Sequence, residues 1–122
     1  MNELCTLTLD LKKGRIRVYK AALHKIGTPK YIQILVNTEK KCIAVRAAHV
    51  RKSKACVEET HITVGGDSCD FYSVELLDRL RQLRQDLLQT GESYRLTGTQ
   101  VKKDIILFPL ETAERIEERE EA

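Results

Sequence analysis

Hydrophobic and polar positions alternate strongly near the start of the chain. From Leu4 to Leu11 the leucines at 7, 9 and 11 fall on one side, with Thr6, Thr8 and Asp10 on the other. A period of two predicts a half-buried strand. Lys12-Lys13-Gly14 reads as a turn, and Arg15-Ile16-Arg17-Val18 alternates again, so the two strands form a hairpin. Lys20 to Ile26 fits a short helix with an apolar edge at Ala22, Leu23 and Ile26. Gly27 is placed to take a left-handed stop, and Pro29 prevents continuation. Tyr31 to Val36 is apolar on nearly both faces, which predicts a central strand. A polar turn over residues 37–41 returns the chain as Cys42-Ile43-Ala44-Val45-Arg46.

The pattern weakens from Ala47 to about Asp70, apart from a short strand at His61 to Val64, and most of this stretch reads as a connector. Ser73 is a natural N-cap for a helix running to Gln89, with Leu76, Leu77, Leu80, Leu83, Leu87 and Leu88 at helical spacing. Gly91 ends it. Tyr94 to Thr97 and Ile105 to Phe108 predict a second hairpin, joined through Gly98-Thr99-Gln100 and Lys102-Lys103-Asp104. The tail from Glu111 carries six Glu against two Arg and reads as a frayed helix.

These elements repeat. An offset of 63 residues aligns Tyr31 with Tyr94, Ile43 with Ile106 and Val45 with Phe108, and Gly27 meets Gly91 with one residue of slippage. Lys40-Lys41 then lies opposite Lys103-Asp104 in the turn of each hairpin. The expected organisation is one domain over 1–122. It comprises a first half at about 4–48, a basic connector at about 49–70, a second half at about 71–111 and an acidic tail at 112–122. A half of about 50 residues cannot bury enough surface alone, so the two are expected to close one barrel-like core around a pseudo-twofold. The fold class is mostly β or α+β, built from two related hairpin-plus-helix halves.

At 122 residues the length suits one core rather than two. No apolar run approaches the ~20 residues of a membrane helix, and residues 1–4 lack the features of an export signal. A cytoplasmic location is therefore expected. The net charge of +3 conceals an asymmetry: residues 1–61 hold 13 Lys/Arg against 5 Asp/Glu, and residues 62–122 hold 8 against 13. A basic front half suggests an anionic partner.

Within it, Lys12, Lys13, Arg15, Arg17, Lys20 and Lys25 place six cations in fourteen residues. Such density suits phosphate binding, in which each neutralised phosphate releases counterions. Arg15 and Arg17 share a strand face and would reach one groove together. Arg51, Lys52 and Lys54 extend the basic character into the connector.

The stretch from Lys13-Gly14-Arg15 through Tyr19-Lys20, then Leu23, Ile26-Gly27, Tyr31-Ile32-Gln33-Ile34 and Cys42 to Arg46, resembles the AbrB/MazE/MraZ swapped-hairpin family over about residues 12–47. The second half looks like a degenerate copy. The resemblance implies a double-split β-barrel that binds DNA as a transcription regulator or antitoxin. Carried onto this chain, it places Lys13, Arg15, Arg17, Lys20 and Lys25 at nucleic acid. Tyr19 stands where the family has proline, and Leu23 where its helix often carries arginine. Asp67-Ser68-Cys69-Asp70 replaces the Gly-Arg strand in the second copy.

The leucine spacing at 76, 80, 83 and 87 also follows a coiled-coil seam. The helix is expected to pack on its own sheet; its other use is to hold a second copy or a protein partner, which makes a protein-interaction module the alternative function. Cys5, Cys42, Cys56 and Cys69 contain no CxxC pair. His49, Cys56, His61 and Cys69 offer two imidazoles and two thiols, but lack the close ligand pair that orients a zinc site, so no metal is expected. No GxxxxGK[ST] or GxGxxG loop occurs, and no enzymatic activity or cofactor is expected.

Overall fold

The computed structural model describes residues 5–48, 61–63 and 68–116. Alternation in the first segment yields β1 (Cys5–Asp10) and β2 (Arg15–Tyr19), which turn Leu7, Leu9, Ile16 and Val18 inward to full burial. Asp10 closes the turn between them, its Oδ1 accepting the backbone N–H of Lys12 at 3.1 Å and of Lys13 at 3.0 Å. The helix α1 (Lys20–Lys25) is short, and its end is sealed by Gly27 at φ 91°. The Thr28 N–H reaches back to the Leu23 carbonyl at 2.8 Å, and the Gly27 N–H to His24 at 3.1 Å. This capping pattern needs a left-handed residue, which glycine adopts without a Cβ penalty.

Next come β3 (Tyr31–Asn37), β4 (Cys42–Ala48), β5 (His61–Thr63) and β6 (Ser68–Tyr72). In the second helix, α2 (Val74–Leu83), the Ser73 hydroxyl caps the Leu76 N–H at 3.1 Å. β7 (Ser93–Lys102), β8 (Ile105–Pro109), a 3₁₀ turn (Leu110–Thr112) and β9 (Glu114–Ile116) complete the described chain.

Strands dominate, and they order as β5-β3-β4-β8-β7-β1-β2-β6, with β9 alongside β7. The two ends of this row are joined through residues 64–67. Laid flat, the row would separate β5 from β6 by about 34 Å at the usual strand spacing. The chain from Thr63 to Ser68 reaches about 19 Å at most. The sheet must therefore curl, and β5 and β6 approach one another. The result is an open half-barrel carrying two helices, in agreement with the expected β/α+β class.

The strand order also carries the repeat. Exchanging β1 with β5, β2 with β6, β3 with β7 and β4 with β8 returns the same order read in reverse around the curl. The register agrees. Ile43 pairs with Phe108 and Val45 with Ile106, and the 63-residue offset converts each pair into the other. Ala44 and Leu107 sit on this pseudo-twofold. At the opposite junction Ile16 pairs with Phe71 and Val18 with Cys69, which an offset of 53 interchanges, leaving Arg17 and Asp70 on the axis. Each half donates strands into the other, since β1 pairs with β7 and β5 with β3. Both halves feed one buried cluster, with Phe108, Leu96, Leu80, Ile34 and Leu7 at its centre.

Four expectations are corrected. Residues 68–70, read as the end of the connector, form β6 together with Phe71 and Tyr72, because the β2 edge supplies its ladder. The second helix ends at Leu83 rather than Gln89: Arg84 leaves helical geometry, and a turn closed by the Arg84 carbonyl carries Leu88 into the core. Gly98-Thr99-Gln100 is strand rather than link, for β7 continues to Lys102 and passes from its ladder with β1 to its ladder with β8. The tail from Glu111 forms no α-helix among the described residues; Glu114–Ile116 pairs with β7 instead.

Candidate nucleic-acid interface

With Leu7, Leu9, Ile16, Val18, Cys69, Tyr94 and Leu96 buried inside, the alternate positions of β1, β2, β6 and β7 turn to the opposite face, where Thr8 and Asp10 are also buried by their neighbours. Register assembles them into rows that no single strand reveals. One row runs Arg95, Thr8, Arg17, Asp70 across four strands, and the next runs Ser93, Asp10, Arg15, Tyr72. At the hairpin end of this face lies a cleft of about 370 Å³ lined by Thr8, Asp10, Lys12, Lys13, Arg15, Tyr19, Ser93, Arg95 and Ile116.

Of the five residues expected at nucleic acid, Lys13 and Arg15 line this cleft. Arg15 Nη2 donates to Asp10 Oδ2 at 3.3 Å, while its Nε is buried with no hydrogen-bond partner among the described residues. Arg17 lies in the neighbouring row, where it forks onto Asp70, Nε to Oδ1 at 2.7 Å and Nη2 to Oδ2 at 2.8 Å. These charge-assisted bonds raise the Arg17 pKa and lower that of Asp70 below the usual carboxylate range, in each case against a smaller opposing effect of burial. Lys20 is exposed at the start of α1 and Lys25 half-buried at its end; neither lines the cleft. The Lys25 carbonyl accepts from Gln100 Nε2 at 3.0 Å, and the same nitrogen donates to the Lys103 carbonyl at 3.3 Å.

Arg95 is the cation that sequence reasoning missed. Its alternation with Tyr94 and Leu96 predicts an outward side chain, but only the β1–β7 ladder brings it beside the first hairpin. Thr8 Oγ1 and Tyr19 Oη share a hydrogen bond of 3.0 Å on the same wall. Glu114 of β9 is the cross-strand neighbour of Arg95.

Leu76, Leu77 and Leu80 of α2 are buried in the chain's own core, and Leu83 and Leu87 pack against it. Cys69 also points inward, and burial followed by the nearby Asp70 charge pushes its thiol pKa up to about 11. His49, Cys56 and the His61 side chain lie outside the described residues. Among the described residues no three metal-binding side chains gather. No described helix is long and apolar enough to cross a membrane.

Compared with known proteins, the chain matches no family model, no curated protein and no solved structure.

Proposed function

We propose that the protein is a small, non-enzymatic nucleic-acid-binding protein, a DNA-binding regulator or antitoxin of swapped-hairpin type. The observation that carries this reading is the convergence of Lys12, Lys13, Arg15 and Arg95 on one outward cleft. The exchange of strands between two related halves supports the resemblance drawn from residues 12–47. Lys13, Lys20 and Lys25 act as phosphate contacts, and Arg15 and Arg17 serve phosphates or base edges. Because Arg17 is already paired with Asp70, contact is carried first by the turn lysines and Arg95.

Fluorescence anisotropy with random-sequence duplex DNA at several salt concentrations tests the proposal. Three engaged phosphates predict a log–log salt slope of about −3. Absence of binding at low salt overturns it.

The competing reading is a protein-interaction module. It is favoured by Tyr72 and Val74, which are 61% and 73% exposed on either side of the α2 cap. With Leu76 and Leu80 buried, a partner on that side meets these two residues before the leucine stripe.

A further inference from the structure

The geometry points to the β1–β2–β7 cleft as a discrete seat for a single phosphate group, assembled from both halves of the chain. It deepens the nucleic-acid reading, since the same cations carry both, and it adds Arg95 with the Thr8, Tyr19 and Ser93 hydroxyls.

Charge comes first. Among the described residues, two ammonium groups and two guanidinium groups line the cleft against the single carboxylate of Asp10, and counting Glu114 beside Arg95 their balance is +2. The Asp10 carboxylate is occupied: Oδ1 takes two backbone N–H groups and Oδ2 takes Arg15. It therefore holds the turn in shape instead of capping the lysines. The lysine side chains project from a backbone this carboxylate fixes, which lowers the ordering cost of gathering them on one anion.

The Arg15 guanidinium is under-used. Among the described residues it makes one hydrogen bond, at 3.3 Å, and keeps a buried Nε without an acceptor. A native site with an unmatched buried donor is short of acceptors. A tetrahedral anion supplies several at once. It suits a ring of Arg, Lys and hydroxyl donors better than a planar carboxylate, which is satisfied by one bidentate partner. At about 370 Å³ the cleft holds a phosphate together with an attached sugar, near the lower end of ligand-pocket sizes.

The phosphate can belong to a nucleic-acid backbone or to a small phosphate monoester, and one experiment separates them. The full chain, ¹⁵N-labelled, is titrated with inorganic phosphate and with a ribose phosphate against chloride of matched ionic strength. Duplex DNA binding is measured on the same sample, alongside Lys13→Gln and Arg95→Gln. Both substitutions fall on exposed positions.

Saturable shifts confined to residues 8–19 and 93–95, with the phosphate dissociation constant raised about tenfold in Arg95→Gln, establish the seat. If DNA competes with phosphate, the source is the nucleic-acid backbone. If phosphate saturates and DNA does not bind at low salt, the seat stands, its ligand is a small phosphate ester, and the nucleic-acid reading falls. Linear, unsaturated shifts equal to those with chloride overturn the seat. DNA binding that survives Arg95→Gln and Lys13→Gln unchanged then leaves the nucleic-acid reading standing on other residues.

Discussion

Arg17 and Asp70 occupy equivalent positions in the two halves and meet on the pseudo-twofold that relates them, joined by both ends of the guanidinium fork at 2.7 and 2.8 Å. A cation expected to face phosphate is thus met by the acid that stands in its place in the second copy. The pair is about one-third exposed on each side, so its net worth lies between that of a surface pair and a buried one.

Removing either partner by Arg17→Ala or Asp70→Ala is expected to lower the unfolding free energy by about 1 kcal/mol. The Asp70 pKa is lowered on folding, so its contribution is complete above the unfolded value of about 3.8 and is lost as pH falls through the lower folded value. Urea unfolding at pH 7 and pH 3 checks this. The difference between wild type and Asp70→Asn should be present at pH 7 and shrink at pH 3.

Freeing Arg17 should strengthen nucleic-acid binding. Under the proposed function, Asp70→Asn leaves a guanidinium available to one more phosphate, and the salt slope steepens by about 0.9. Anisotropy titrations of the two proteins at matched salt give the answer.

Leu80 is fully buried where α2 meets the sheet. Leu80→Ala is expected to cost about 3 kcal/mol by removing buried surface and leaving a cavity. Leu83→Ala, at a partly buried position, should cost less. Thermal unfolding of both variants measures the contrast.

Gly98 lies where β7 passes from one ladder to the other. A Cβ there would meet the Phe108 ring at 2.6 Å and Ile106 Cγ2 at 2.8 Å. Gly98→Ala should therefore destabilise by about 1–3 kcal/mol through overpacking, read as a lower urea midpoint. Gly91→Ala would meet no such neighbour and instead opposes a left-handed φ of 82°.

The three described cysteines, Cys5, Cys42 and Cys69, are all buried. Burial raises the thiol pKa of Cys42, and that of Cys69 to about 11. Brief alkylation of the native protein at pH 8 should leave these three unmodified, and alkylation in urea should label all of them, as peptide mass mapping would show.

Strands with strong alternation were legible from sequence because burial on one face writes a period of two into residues such as Leu7, Leu9, Ile16 and Val18. β6 was not, since Cys69 and Phe71 are its only apolar inward pair and its strand state depends on β2. The end of α2 misled because Leu87 and Leu88 keep helical spacing while reaching the core through a turn. The same division holds for the site. Lys13 and Arg15 are neighbours in sequence, whereas Arg95 joins them only through a ladder spanning about eighty residues.

The covalent connection of the two halves, made between β4 and β5, has a consequence for what the axis can hold. In a symmetric assembly of two identical first halves, whatever stands at position 17 must face its own copy, and two guanidinium groups would oppose each other there. Joining the halves in one polypeptide lifts that restriction. Each position on the axis becomes two independent ones, so arginine can face aspartate, and one face of the barrel can become a cationic cleft without obliging the other to match it.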